Sequence, residues 1–95
     1  MKDKITKEKF DKYLFITKEA YRQAKSNINE CKKELANEFL VMVFDYVQDA
    51  QHFYGKGNAV NAFAAINYAH GWLDAGARSK IFLVKDSKLF AVDDE

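Results

Sequence analysis

Proline is absent from this chain, and glycine is scarce: four in 95 residues, at positions 55, 57, 71 and 76. With so few breakers, long helices are the expected elements. Cysteine is represented by Cys31 alone. That excludes an internal disulfide, and one thiol makes no metal site by itself, so a reducing cytoplasm is the expected location. No apolar run approaches the ~18 residues of a membrane span. The longest, Phe39 to Phe44, stands between Glu38 and Asp45. The lysine-rich start carries no apolar signal core. A large excess of one charge is also lacking: the net charge is +1, which argues against nucleic-acid binding by bulk charge.

What is present is a globular composition, 48% hydrophobic and 31% charged, in a length expected of one domain spanning residues 1–95. Aromatics are abundant, with eight Phe, five Tyr and one Trp. Rings at that density belong either to an aromatic core or to a partner surface. Charge is segregated along the chain. Residues 1–33 hold ten Lys/Arg against five Asp/Glu, whereas residues 34–54 hold four acids and no Lys/Arg. The two excesses are expected to attract each other across the surface of a bundle.

Periodicity predicts three helices. Phe10, Tyr13, Leu14, Thr17, Ala20, Tyr21, Ala24 and Ile28 recur at steps of three and four, giving a first helix over about 7–28 with Thr6 as its N-cap. Asn27 and Asn29 disfavour a helix interior, and Asn29 can cap the next helix. A second helix over about 30–54 carries two stripes. One is Leu35, Phe39, Met42, Tyr46, Ala50 and Phe53; the other is Leu40, Val43, Val47 and Tyr54. With Phe39 to Phe44 apolar nearly all round, this helix is expected to be central and buried on several sides. Gly55-Lys56-Gly57-Asn58 then turns the chain, with Asn58 capping a third helix over about 59–79. So short a link makes these helices antiparallel neighbours, with facing residue numbers summing to about 113. Ala62, Ala65, Ala69, Gly71 and Gly76 are expected to let the two backbones approach closely. Residues 81–92 change period and suggest a hairpin or extended tail packed on the bundle, ending in Asp93, Asp94 and Glu95, which should fray.

The polar constellation with most chemistry is Asn67, His70, Asp74 and Arg78, spaced to share one face of the third helix. An imidazole beside a carboxylate is a general-base arrangement, and a guanidinium one turn on can hold an anion. The plain alternative is an Asp74–Arg78 ion pair with His70 bonded to Asp74. Tyr68 and Trp72, one turn apart, form either an aromatic shelf for a partner or core packing against the first helix. Asp49 and His52 have a ligand-like i, i+3 spacing, but His52 and His70 lie on different helices, so no metal and no cofactor is expected. Gly55-Lys56-Gly57-Asn58 lacks the GK[ST] ending of a phosphate loop, and a plain turn is the expected role of its amides.

The segment DAQHFYGKGNAVNAFAAINYAHGWLDAGAR, followed by LFAV, resembles a family of short archaeal proteins known as domain of unknown function 357. The resemblance is carried by Asp49-Ala50, by Lys56-Gly57-Asn58, by Asn61 to Ala65, and by Tyr68-Ala69-His70-Gly71-Trp72-Leu73-Asp74-Ala75-Gly76. It covers the last half of the chain closely and the first helix only in kind. Asn58 stands where Asp is common, and Ser79-Lys80 where Leu-Gly is expected. The resemblance implies a spectrin-repeat-like antiparallel three-helix fold and no established activity. The expected class is therefore all-α, a three-helix bundle with a short C-terminal extended segment or hairpin. The expected function is a non-catalytic protein-interaction or adaptor domain that associates with itself. The rival is a small nucleotide- or RNA-directed enzyme, or an RNA-binding module, working through the polar face of the third helix.

Overall fold

The computed structural model describes residues 2–92, with side chains from residue 7 onward. The acidic end expected to fray, Asp93 to Glu95, lies outside the described residues. Three long helices account for most of the chain: α1 (Lys2–Lys25), α2 (Lys33–Gly55) and α3 (Ala59–Arg78). The expected all-α three-helix bundle is what forms. None of the described helices is long and apolar enough to cross a membrane.

The core is the buried stripe of each helix. α2 contributes Ala36, Leu40, Val43, Val47 and Ala50, and α3 contributes Ala62, Ala65, Ile66, Ala69, Leu73, Gly76 and Ala77. Ring contacts fix the relative order of the helices. Phe39 meets Trp72 and Tyr46 meets Tyr68, so the contacts of α2 and α3 run in opposite directions along the chain. Their number sums bracket the expected value. At the turn end, Phe10 of α1 stacks on Tyr54 with centroids 4.4 Å apart and meets Phe63 edge-on at 5.7 Å.

Two of the four glycines have structural reasons. Gly57 takes φ +80, which lets the chain reverse, while the amides of Lys56, Gly57 and Asn58 donate back to carbonyls of the last turn of α2. Asn58 caps α3 by accepting from the Asn61 amide at 3.2 Å. Gly76 faces Phe82 and Phe39. The close approach expected of Gly71 is not made: it is exposed, and nothing lies within 4 Å of where its Cβ would stand. A helix-interior glycine with open space costs ~1 kcal/mol against alanine. Gly71→Ala is therefore expected to raise stability by about 0.5–1 kcal/mol, read as a higher urea midpoint at unchanged slope. A lower midpoint would mean that this face is closed in solution.

Several expectations are corrected at the helix ends. α1 begins at Lys2, so Thr6 lies inside the helix rather than at its N-cap position. It ends at Lys25 rather than Ile28, because the Asn27 side chain donates to the Gln23 carbonyl at 2.8 Å and closes the last turn. Asn29 does act as a cap, accepting from the Cys31 amide at 3.0 Å, but it caps a single 3-10 turn, Glu30–Lys32, before α2 starts. This break needs no Gly or Pro because α3's exit holds it. The Asn29 amide donates to Ile81 O at 3.0 Å, its side chain to Lys80 O at 2.8 Å, and Lys32 Nζ to Ser79 O at 2.7 Å. Where a Leu-Gly exit was expected, Lys80 itself takes the left-handed conformation, φ 62.

α2 is less enclosed than its apolar run suggests. Val41 and Phe44 are 58% and 50% exposed, because the Phe39, Leu40 and Val43 side of the run faces the other helices and the opposite side does not. Nor, among the described residues, do the charge excesses pair across the bundle. Among the described residues the Lys and Arg ion pairs, Lys7–Asp11 and Glu19–Arg22, are both within α1 and solvent-exposed. Such pairs contribute little to stability.

After α3 the described residues form no ladder with one another. Ile28 and Phe82 make an isolated antiparallel bridge, the Leu83 amide donates to Asn27 O at 2.7 Å, and residues 86–90 make a turn. Ile81, Phe82 and Phe90 are buried, so the tail anchors its apolar side chains in the bundle.

Candidate functional site

Asn67, His70, Asp74 and Arg78 lie along one flank of α3, as their spacing requires. What faces three of them is the chain's own C-terminal segment. His70 Nε2 is 2.7 Å from the Leu89 carbonyl oxygen. A carbonyl only accepts, so this nitrogen carries the proton. His70 Nδ1 is 3.0 Å from Thr17 Oγ1 on α1. A hydroxyl can donate to a neutral ring or accept from a charged one, so the imidazole keeps both bonds in either protonation state. Thr17 is 2% exposed, a polar residue within the apolar stripe of α1, and this bond satisfies it.

Asp74 and Arg78 share one target. Asp74 Oδ1 accepts from the Ala91 amide at 2.9 Å, and Arg78 Nη1 donates to the Ala91 carbonyl at 3.0 Å. The ion pair expected between Asp74 and Arg78 is replaced by this double hold on one residue's main chain. Asp74 Oδ1 lies 3.7 Å from His70 Nε2, too long for a hydrogen bond. A general base needs a free lone pair facing substrate. Here Nε2 is occupied by Leu89 and Nδ1 by Thr17, so the trio acts as a clamp on residues 89–91. Asn67, by contrast, is exposed and lines an open groove of about 340 Å³ between α1 and α3, with Tyr13, Thr17 and His70 on its walls.

Tyr68 and Trp72 sit on the other flank of α3. They face α2 rather than α1, correcting the expected core packing. Trp72 meets Phe39 edge-on at 4.8 Å, and Tyr68 stacks on Tyr46 at 5.4 Å with 26° between the planes. Tyr68 remains 62% exposed. With Leu35 and Met42 they form a seam of exposed and half-buried side chains, whose α2 half is the first four residues of the first stripe identified in the sequence, Leu35, Phe39, Met42 and Tyr46. The seam borders a groove of about 460 Å³ lined by Glu38, Phe39, Val41, Met42 and Trp72.

The other candidates stay apart. His52 is exposed near the turn, its ring beside Phe53, far along the bundle from His70. Among the described residues no three His, Cys, Asp or Glu side chains converge. The amides of Lys56, Gly57 and Asn58 are spent on α2 carbonyls, so the turn presents no free amide cradle. Cys31 is exposed.

Thr17 and the main chain of Leu89 and Ala91 complete the constellation and were not foreseen from sequence. The one signal for them was a lone hydroxyl in the apolar stripe of α1. Main-chain partners leave no trace in residue identity. A family model described as protein of unknown function (DUF357) matches residues 12–82. Neither the curated proteins nor the solved structures give a match to the chain.

Proposed function

The chain belongs to the protein of unknown function DUF357 family, and from that premise we propose a non-catalytic, single-domain protein-interaction module that pairs with a second copy of itself through the α2–α3 ring seam. The observation that carries this reading is the seam itself. Leu35, Phe39, Met42, Tyr46, Tyr68 and Trp72 gather along one side, with Leu35 44% and Tyr68 62% exposed. Aromatic enrichment and charge depletion mark interface cores. From Gly57 to Leu73 the chain carries no Asp, Glu, Lys or Arg, although α3 has an exposed face throughout that stretch. The α3 half of the seam therefore adds no charge of its own to a two-fold contact, and Glu38 stands at the α2 edge of its groove. The unpaired Cys31 supports a reducing cytoplasm as the place of work.

The rival, a nucleotide- or RNA-directed site on the polar flank of α3, has less support. Its three strongest groups already bind the main chain of residues 89–91.

Sedimentation equilibrium over a wide concentration range tests the reading. A concentration-dependent dimer is expected, and Tyr68→Lys should weaken it by about 30-fold, the effect of losing ~2 kcal/mol at an interface hot spot. Tyr68 is exposed, so helix content should not change. A monomer at every concentration, or a dimer indifferent to Tyr68→Lys, would overturn it.

A further inference from the structure

We propose that the flank of α3 carrying His70, Asp74 and Arg78 is a segment-binding site, and that its occupant in trans is the residue 86–92 segment of a second copy, exchanged for the chain's own. The site is separate from the ring seam, since Gly71 and Ala75 lie between the two flanks of α3.

The contacts are those of a receptor and a plug. All three polar side chains hold main-chain atoms: Leu89 C=O, Ala91 N–H and Ala91 C=O. Between the two held residues, Phe90 buries its ring, 2% exposed, and supplies the side-chain anchor. The plug organises itself. The amides of Leu89 and Phe90 donate to Asp86 O at 3.0 and 2.9 Å, and the Lys88 amide donates to the Asp86 carboxylate at 3.0 Å. These bonds travel with the turn wherever it goes, so it can leave and dock as a unit.

Its connection to the bundle is short. Ile81 and Phe82 are fixed in the core and Val84 packs half-buried against it, but Leu83 and Lys85 are exposed, and among the described residues the main-chain bond from this linker to the bundle is Leu83 N–H to Asn27 O. Three linker residues reach about 10 Å, enough to pass the plug to a second bundle that lies directly against this flank of α3. A second copy is the occupant the structure favours because every copy carries both halves of the match. Exchange between identical chains keeps every contact and adds only the cost of association.

Complementation between full-length chains tests this. Both chains carry Tyr68→Lys, which silences the seam, so failure here is distinct from failure of the dimer proposed above. One chain also carries Phe90→Ala, a damaged plug beside an intact site. The other carries Asp74→Ala and Arg78→Ala, a damaged site with an intact plug, and is isotope-labelled. Each chain alone should be monomeric, with a fast-exchanging Ala91 amide in the labelled chain. Mixed one to one, they should form a heterodimer, and exchange at that amide should slow about tenfold or more. Two persistent monomers with unchanged exchange would overturn the proposal and leave the contact a clamp that acts only within one chain. Should Phe90→Ala lose its helical signal, Ala91→Pro replaces it. It removes the amide that Asp74 accepts, at an exposed position, and leaves the buried ring in place.

Discussion

Phe82→Ala should cost about 3–5 kcal/mol of folding stability, the usual loss for a buried aromatic ring. Domains of this kind hold only ~5–15 kcal/mol in total. At ~4–8 °C per kcal/mol for a domain of this size, the thermal midpoint should fall by tens of degrees. The residue is 0% exposed and sits where three parts of the chain meet. Its amide donates to Gly76 O at 3.1 Å, its backbone bridges Ile28, and its ring lies edge-on to Phe39 at 6.4 Å. Removing the ring opens a cavity beside a residue with no side chain, so the site cannot collapse to fill it. It also loosens the anchor that holds the α1–α2 connector against the exit of α3. Leu83→Ala is the control: 54% exposed and one residue along, it should cost no more than about 0.5 kcal/mol. Urea unfolding followed by helical circular dichroism measures both. A loss under ~1 kcal/mol for Phe82→Ala would mean that the tail is not part of the cooperative unit.

The same residue shows where sequence reading ends. The turn and the start of α3 were legible because their causes are local. Gly57 alone supplies a positive φ there, and Asn58 caps within three residues. The register of α2 on α3 followed from that turn. The connector after α1 was harder. Its stop depends on Asn29 and Lys32 reaching the carbonyls of Lys80 and Ser79, about fifty positions away in sequence, and no local residue type announces such partners. Val41 and Phe44 misled for a related reason. An apolar run says which residues avoid water if they can, but which side of a helix is covered depends on where its neighbours lie. In the polar group, the shared face of His70, Asp74 and Arg78 was correctly placed by helical spacing. Their partners were not, because Leu89 and Ala91 take part through backbone atoms that every residue possesses. The chemistry changed accordingly, from a candidate base beside an ion pair to a hold on the chain's own end.

Gly76→Ala should destabilise by about 1–3 kcal/mol, although the same change at Gly71, in the same helix, should stabilise. Both gain the ~1 kcal/mol of helix propensity that glycine forfeits. The sign differs because of what the new methyl meets. At Gly76 a Cβ would stand 2.5 Å from Phe82 Cδ2 and 3.4 Å from Phe39 Cδ2. Neither ring has room to give. Phe82 is fully buried, with its backbone pinned by the Gly76 carbonyl and the Ile28 bridge, and Phe39 is wedged against Trp72 at 4.8 Å. The clash and the ring are one interaction, so the two substitutions should couple. In a Phe82→Ala background the methyl enters the cavity that the ring vacated. There Gly76→Ala should be neutral or stabilising, giving a coupling energy of about 2 kcal/mol in a double-mutant cycle. Urea midpoints of the four proteins decide it. If the two losses add to within ~0.5 kcal/mol, Gly76 is not shaped to receive the ring. The tail would then lie on the bundle by its hydrogen bonds alone.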